Sequence, residues 1–447
     1  MASNAPARGG QMAFTGIVPE GYLPRIVDRQ VERYLGIFGA VEIAGTKWCG
    51  KTWTALRHGA SVSYVDDNVP LAKADPTLMT LGERPHVIDE WQLAPHIWDA
   101  VRRSVDRERG LRGGWILTGS STPISRETNK DEAPSHSGAG RIGRIRMHPM
   151  TLAESGDSSC AVSLSGLFDG NFEPSIAPND TSKLIEICCR GGWPEAVDME
   201  AADAQTLARE YLRLFYTESA PRAGKDGEVT SRLVGSLARN IGQAVTYRTI
   251  IGDMYGGEHD PASLISDQTL ASYLAFLKAS YLMDEVPGWV PPTRSRKRLA
   301  TKPKRYLADP SLSAAQLGMG PSAFLKDWQT FCLLFESLCM RDLMVYARSL
   351  ADVGFEPVRY YRDDTGLEAD AIVELADGRW AAFEFKASED KVQDAVENLL
   401  RLKKKLCENK GAQTREPEFL AVITGISTYA RQTPEGVYVI PIRALTA

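Results

Sequence analysis

The stretch from Val41 to Thr52, VEIAGTKWCGKT, constrains this chain most, because an apolar run leads directly into the spacing GxxxxGK[ST]. That spacing belongs to a phosphate-binding loop. Gly45 and Gly50 let the backbone wrap so that its N–H groups face phosphate, and the helix that follows adds its positive amino end. Lys51 is expected to reach the β- and γ-phosphates and Thr52 to hold Mg²⁺, with Thr46, Lys47, Trp48, Cys49 and Trp53 completing the nucleotide-contacting segment. The expected ligands are ATP, or another nucleoside triphosphate, and Mg²⁺.

Such a loop needs a strand before it and a helix after it, and the pattern around it agrees. From Tyr22 to about Glu154, short apolar runs alternate with helical stretches. The spacing predicts strands at Ala40–Ala44, Ser61–Val65, His86–Ile88, Trp115–Thr118 and Ile142–Met147. Helices are predicted at Lys51–Arg57 and at Ile97–Val105, where Ile97, Trp98, Val101 and Val105 fall on one face. This is an α/β region with a doubly wound parallel sheet, whose ligand edge lies at the carboxyl ends of the strands.

Phosphoryl chemistry also needs a carboxylate for Mg²⁺ and a group to orient water. The segment PHVIDE supplies both: Asp89 is the candidate Mg²⁺ ligand and Glu90 the candidate base. The next strand ends in Thr118, Gly119, Ser120 and Ser121, and Thr118 is a candidate contact to the γ-phosphate or the attacking water. In GRIGRIR, Arg141 and Arg144 are candidates for an arginine finger, acting within the chain or across an oligomer interface.

Composition narrows the remaining classes. With 447 residues and 43% hydrophobic residues, two to four domains with ordinary cores are expected. A net charge of -5 means that any nucleic-acid surface must be a local patch. Seven cysteines form no CxxC pair and only six histidines accompany them, which points to a reduced cytoplasmic protein without structural zinc. The amino end has no signal-peptide core, no apolar run has membrane-spanning length, and residues 1–18 read as a disordered tail.

Taken together, YLPR (Tyr22 to Arg25), GTKWCGKT, YVDD (Tyr64 to Asp67), IDEWQ (Ile88 to Gln92), LTGSS (Leu117 to Ser121) and HPMTLAE (His148 to Glu154) resemble prokaryotic AAA-superfamily ATPases whose carboxy-terminal half is a domain of unknown function. The resemblance continues through GGWPEA, ARNIGQ, YLMDEVP, KPKRYLADPSL and FES, and so covers most of the chain. It implies ATP binding and hydrolysis by an AAA-type domain over residues 19–155. The loop of that family usually reads like GPRQVGKT, and this chain departs from it at Thr46 and Trp48.

Beyond residue 155 the spacing gives a helical connector over 156–225, with helices at Thr181–Cys189 and Ala204–Tyr216. A segment over 226–320 has helices at Ser231–Gly242 and Leu270–Ala279 before an apolar run, Tyr281–Val286, in the order of a winged helix. Between Arg294 and Arg305 lie seven basic residues and no acidic one: Arg294, Arg296, Lys297, Arg298, Lys302, Lys304 and Arg305. They are candidates for DNA phosphate contacts.

Residues 321–447 form a second α/β region, with a long helix at Phe324–Ala347 and a hairpin in LEADAIVELADGRWAAFEFKA. A three-residue loop at Ala376, Asp377 and Gly378 places Asp370 opposite Glu384, with Lys386 on the same face. The arrangement resembles the D…ExK set of PD-(D/E)xK nucleases, with Glu336 like the helical acid of archaeal Holliday-junction resolvases. It makes Asp370 and Glu384 candidates for a second Mg²⁺ site. Two readings stay open: an ATPase coupled to DNA binding or processing, and a nucleotide-dependent protein-interaction switch, as a homo-oligomer or with a protein partner, on an inactive nuclease-like scaffold.

Overall fold

The computed structural model describes residues 17–122, 134–256, 264–291, 301–351, 353–408 and 414–447. Residues 1–16 of the expected tail, and Arg294, Arg296, Lys297 and Arg298 of the basic stretch, lie outside them. The chain divides into two compact units, one of residues 1–22, 30–44 and 51–146, the other of residues 23–29, 45–50 and 147–447. Among the described residues, no helix is long and apolar enough to cross a membrane.

The first unit is built on strands β1 (Ala40–Gly45), β2 (Ser61–Tyr64), β3 (His86–Asp89), β4 (Trp115–Gly119) and β5 (Ile142–Met147), in the spatial order β2-β3-β4-β1-β5. β1 pairs with β4, β4 with β3 and β3 with β2, all parallel. Strands buried on both faces need continuous apolar runs, and every residue of β1, β3 and β4 is buried. The helix Lys51–His58 follows β1, and the helix His96–Arg107 contributes Ile97, Trp98 and Val101 to a core with Ile88, Trp115 and Leu117. Full burial of each such aliphatic side chain contributes about 1.5–3 kcal/mol.

In the second unit, Gly227–Arg239, Tyr247–Tyr255 and Asp267–Ala279 are helices, followed by an antiparallel pair, β8 (Met283–Val286) and β9 (Lys304–Leu307). The middle helix is absent from the sequence reading. It is nine residues long with Gly252 inside it, and it is held by packing of Ile250, Ile251 and Met254 and by the Thr246 hydroxyl accepting from Thr249 N–H at 3.1 Å.

The largest sheet uses β7 (Ser175–Ile176), β10 (Val353–Arg362), β11 (Glu368–Leu375), β12 (Trp380–Lys386), β13 (Phe419–Thr424), β14 (Tyr429–Gln432) and β15 (Tyr438–Pro441), in the order β10-β11-β12-β13-β15-β14-β7. The stretch read as a helical connector therefore also supplies β7, and β6 (Val162–Ser163), which pairs with β16 (Leu445–Thr446). Two-residue strands carry no readable periodicity. The long helix runs Trp328–Ser349 rather than from Phe324, because the Asp327 side chain caps it by accepting from Thr330 N–H at 3.1 Å.

Alternation along β11 and β12 feeds two cores. Ala371, Val373, Ala381, Phe383 and Phe385 pack with Leu334 and Leu338 of the long helix. Ile372, Trp380 and Ala382 pack with Val396, Leu399 and Leu402 of the helix Val392–Cys407. The face that carries Asp370 and Glu384 is thus itself largely covered.

Candidate functional site

β1 ends at Gly45, Gly50 adopts φ +97°, and the helix starts at Lys51. Gly50 is where the loop needs glycine, since that φ strains any side chain. Lys51 is buried, Cys49 is fully buried, and Trp48 and Trp53 stand 47% and 46% exposed.

Three elements of the first unit converge at the carboxyl ends of their strands. Asp89 closes β3, and its Oδ1 accepts from the Thr52 hydroxyl at 2.8 Å and the Thr118 hydroxyl at 2.5 Å. Burial pushes the Asp89 carboxyl up, against hydrogen bonds from Thr118 and Thr52 that lower it; Glu90 adds to the rise and Lys51 opposes it. Its hydroxyl partners carry no charge to offset the desolvation.

Glu90 turns the chain in the left-handed region, at φ +56°, and its N–H donates to Thr118 Oγ1 at 3.1 Å. Its carboxylate accepts from the Ser120 hydroxyl at 3.1 Å and from Gln92 Nε2 at 2.5 Å. Lys51, Thr52, Asp89, Glu90 and Thr118 are therefore together at one sheet edge, and Glu90 is oriented by Ser120, among the polar residues expected at the end of β4 to contact the γ-phosphate or water, and by Gln92, given no role from sequence.

Arg141 is placed differently. Its Nε donates to Asp106 at 2.8 Å, and its carbonyl accepts from Ala40 N–H at the amino end of β1. Ala40 and His86 are level, each paired with Trp115 of β4, so Asp89 lies three residues, about 10 Å, further along the strands. The expectation of an arginine finger acting within the chain is thus corrected for Arg141, because a parallel sheet separates its two ends. Arg144, on β5, pairs with Glu42 of β1 at 3.0 Å and lies over the Trp98 ring, a structural pairing.

Loop residues are held inside the second unit by groups that the sequence reading did not assign. Arg25 Nη1 donates to Cys49 O at 2.7 Å, while its Nε pairs with Glu154 at 3.0 Å, both side chains almost fully buried. The Thr46 and Tyr211 hydroxyls bond at 2.6 Å, and the Trp48 ring lies 5.4 Å from that of Tyr211. Tyr211, on the helix Ala201–Leu214, thus meets Thr46 and Trp48, two of the positions at which the loop departs from GPRQVGKT.

A second cluster lies on β11 and β12. The pairing Ala371 with Phe383 sets Asp370 opposite Glu384, as expected. Asp370 Oδ2 accepts from Phe385 N–H at 2.8 Å, and Lys386 Nζ contacts Glu384 at 2.6 Å and Asp370 at 4.0 Å. Glu336, from the long helix, joins them through Lys304 rather than through a metal-like set of oxygens. Lys304 Nζ lies 2.8 Å from Glu368, 3.4 Å from Glu336 and 3.7 Å from Asp370, and the Tyr306 hydroxyl donates to Glu336 at 2.7 Å.

Burial raises Glu336 and Glu384 to about 7; Lys304 counters it at Glu336, and Asp370 reinforces it at Glu384. Burial works against the Lys304 ammonium, yet Glu336, Asp370 and Glu368 outweigh it and raise its pKa. Among the described residues, no group of three or more His, Cys, Asp or Glu side chains is placed to hold a metal ion.

Expected DNA-facing residues Lys304 and Arg305 are 3% and 5% exposed, which corrects their reading as solvated phosphate contacts. Their strand alternates: Lys304 and Tyr306 point to the carboxylates, and Arg305 pairs with Glu285, its cross-strand neighbour on β8, at 3.1 Å. Lys302 is exposed.

Residues 38–155 match the family described as AAA domain, residues 181–323 a Domain of unknown function (DUF8612), and residues 333–445 a Domain of unknown function (DUF4143). No curated protein matches the chain. A solved structure, the Walker-type ATPase PABY2304 of Pyrococcus abyssi, is similar at 12% identity, over 68% of this chain and 99% of that one, with a TM-score of 0.43, too loose a likeness to carry an argument. Over residues 38–155 the chain is thus similar to AAA-type P-loop ATPase domains, and its five-stranded sheet is of the kind they use.

Proposed function

We propose that the chain is a Mg²⁺-dependent ATPase whose nucleotide chemistry is carried by Lys51, Thr52, Asp89 and Glu90. The carrying observation is the Asp89 carboxyl, buried at the end of β3 with two neutral hydroxyl partners and a raised pKa. Such a group gains most from a cation beside it. Thr52 supplies a second oxygen 2.8 Å away, so the donors present fit Mg²⁺, which takes one or two carboxylates and completes its shell with phosphate and water. Bound with nucleotide, Mg²⁺ would neutralise charge on the transferred phosphoryl group.

The chain's own groups divide the remaining work. Backbone N–H groups of Gly45 to Gly50 would cradle phosphate, and Lys51 would reach its outer oxygens. Glu90 would accept a proton from the attacking water, held in position by Ser120 and Gln92. Arg141, engaged with Asp106, would serve a nucleotide only across an oligomer interface.

For the carboxy-terminal half, the burial of Lys304 and Arg305 favours the switch reading over DNA processing. In this reading residues 226–320, which among the described residues hold the helices Gly227–Arg239, Tyr247–Tyr255, Asp267–Ala279 and Pro310–Leu317 and the β8–β9 pair, are a winged-helix-like segment. Residues 321–447 are a PD-(D/E)xK-like scaffold that takes part in protein contacts rather than cleavage.

The test is ATP hydrolysis by the purified full chain with Mg²⁺, with and without linear and branched DNA, for wild type and Lys51→Ala. Turnover that Lys51→Ala abolishes and DNA leaves unchanged is expected. Equal turnover in the variant overturns the ATPase reading, whereas DNA stimulation with salt-sensitive binding restores the DNA-processing one.

A further inference from the structure

The D…ExK pattern implies a divalent cation between Asp370 and Glu384, and the surrounding side chains argue against one. Four carboxylates, Glu336, Glu368, Asp370 and Glu384, gather where the long helix, β11 and β12 meet. Left alone, they would repel one another in a largely desolvated setting. A nuclease would offset this with a metal ion. Here the offset comes from the chain: Lys304 reaches Glu336, Glu368 and Asp370, and Lys386 reaches Glu384 and Asp370.

The remaining acceptors are also used. Tyr306 donates to Glu336, Phe385 N–H to Asp370, and Asn398 to Glu384 at 2.6 Å. A cation entering the cluster would have to displace an ammonium group that is almost wholly buried, because Lys304 is 3% exposed. Lys304 also comes from β9, well outside the D…ExK segment, and the same strand carries Tyr306 into the cluster. The chemistry of the donor set therefore does not fit a second Mg²⁺.

We infer that Lys304 is a resident cation of this nuclease-like face, closing it to divalent metal and latching the β8–β9 hairpin onto the long helix and β11. The face is an ion-pair latch, and no phosphodiester chemistry is derived from it. The inference is independent of the nucleotide site, which uses other residues.

Mn²⁺ binding to the nucleotide-free full chain, followed by electron paramagnetic resonance, tests it. Wild type, Asp370→Asn and Glu384→Gln should bind the same number of Mn²⁺ ions. Loss of one ion in either variant overturns the inference. In Lys304→Met one additional Mn²⁺ should bind, and adding Asp370→Asn should remove it; an unchanged count in Lys304→Met also overturns the inference. If Lys304→Met does not fold, the wild-type comparison with Asp370→Asn and Glu384→Gln decides alone. Any Mn²⁺ held at Thr52 and Asp89 is insensitive to these changes, so failure here and failure of the ATPase reading are distinguishable.

Discussion

Two acid clusters in this chain use the same residue types to opposite ends. At the phosphate loop, Asp89 is buried against neutral hydroxyls of Thr52 and Thr118. At the second cluster, Glu384 of β12 is buried and Glu336 of the long helix and Glu368 and Asp370 of β11 are partly buried, all against two ammonium groups. Burial raises carboxyl pKa values in both, because low-dielectric surroundings penalise the ion wherever it sits. What differs is the partner. A carboxylate facing hydroxyls still has cation-binding capacity, while one facing lysines has spent it. A lysine near paired acids is thus no mark of a nuclease until its distance to each acid is known.

The largest effect should come from breaking the first cluster: Lys51→Ala is expected to lower ATP turnover about 10²- to 10³-fold, measured at saturating Mg²⁺. Breaking the second should leave turnover alone and lower stability instead. Lys304→Met strands buried carboxylates and should cost about 3–5 kcal/mol in urea unfolding. Glu90→Gln sharpens the assignment at the first site, with turnover down about 10²-fold and nucleotide binding retained in a fluorescent-nucleotide titration. Tyr211→Phe removes only the hydroxyl bonded to Thr46, about 1 kcal/mol, and should raise KM for ATP by about fivefold.

The smallest expected effect is on pH dependence at the second cluster. Glu336 and Glu384 titrate at about 7 in the folded chain, above the usual carboxyl range, so the folded state holds protons that the unfolded state has released. Their contribution to stability is full at low pH and lost as pH rises through about 7. Facing Lys304, Tyr306, Asp370 and Lys386, they should lower the thermal midpoint by a few degrees as pH rises from about 4.5 to about 7 and leave it level above that. Glu336→Gln should flatten that slope.

Much of this architecture is legible in local sequence pattern. The strand edges around Gly45 and Asp89 were legible because apolar runs, glycine and a following helix are all short-range signals. The hairpin register that sets Asp370 opposite Glu384 was legible for a similar reason, since a three-residue loop and period-two alternation leave one pairing. Tyr247–Tyr255 was not legible, because its stability lies in the neighbours of Ile250 and Ile251 rather than in its own propensity.

Lys304 shows most clearly where sequence reading stopped. In a run of seven basic residues it looks solvated, and nothing within ten positions marks it as different. Its partners are 32, 64 and 66 residues away at Glu336, Glu368 and Asp370, brought near by the pairing of β9 with β8 and the packing of the long helix. The sequence by itself determined which residues can do phosphate and carboxylate chemistry, because those requirements are residue types at short spacing. Only tertiary structure decided which charges meet, because Coulomb energy and desolvation depend on distance and burial, and both are set by contacts between segments far apart in the chain.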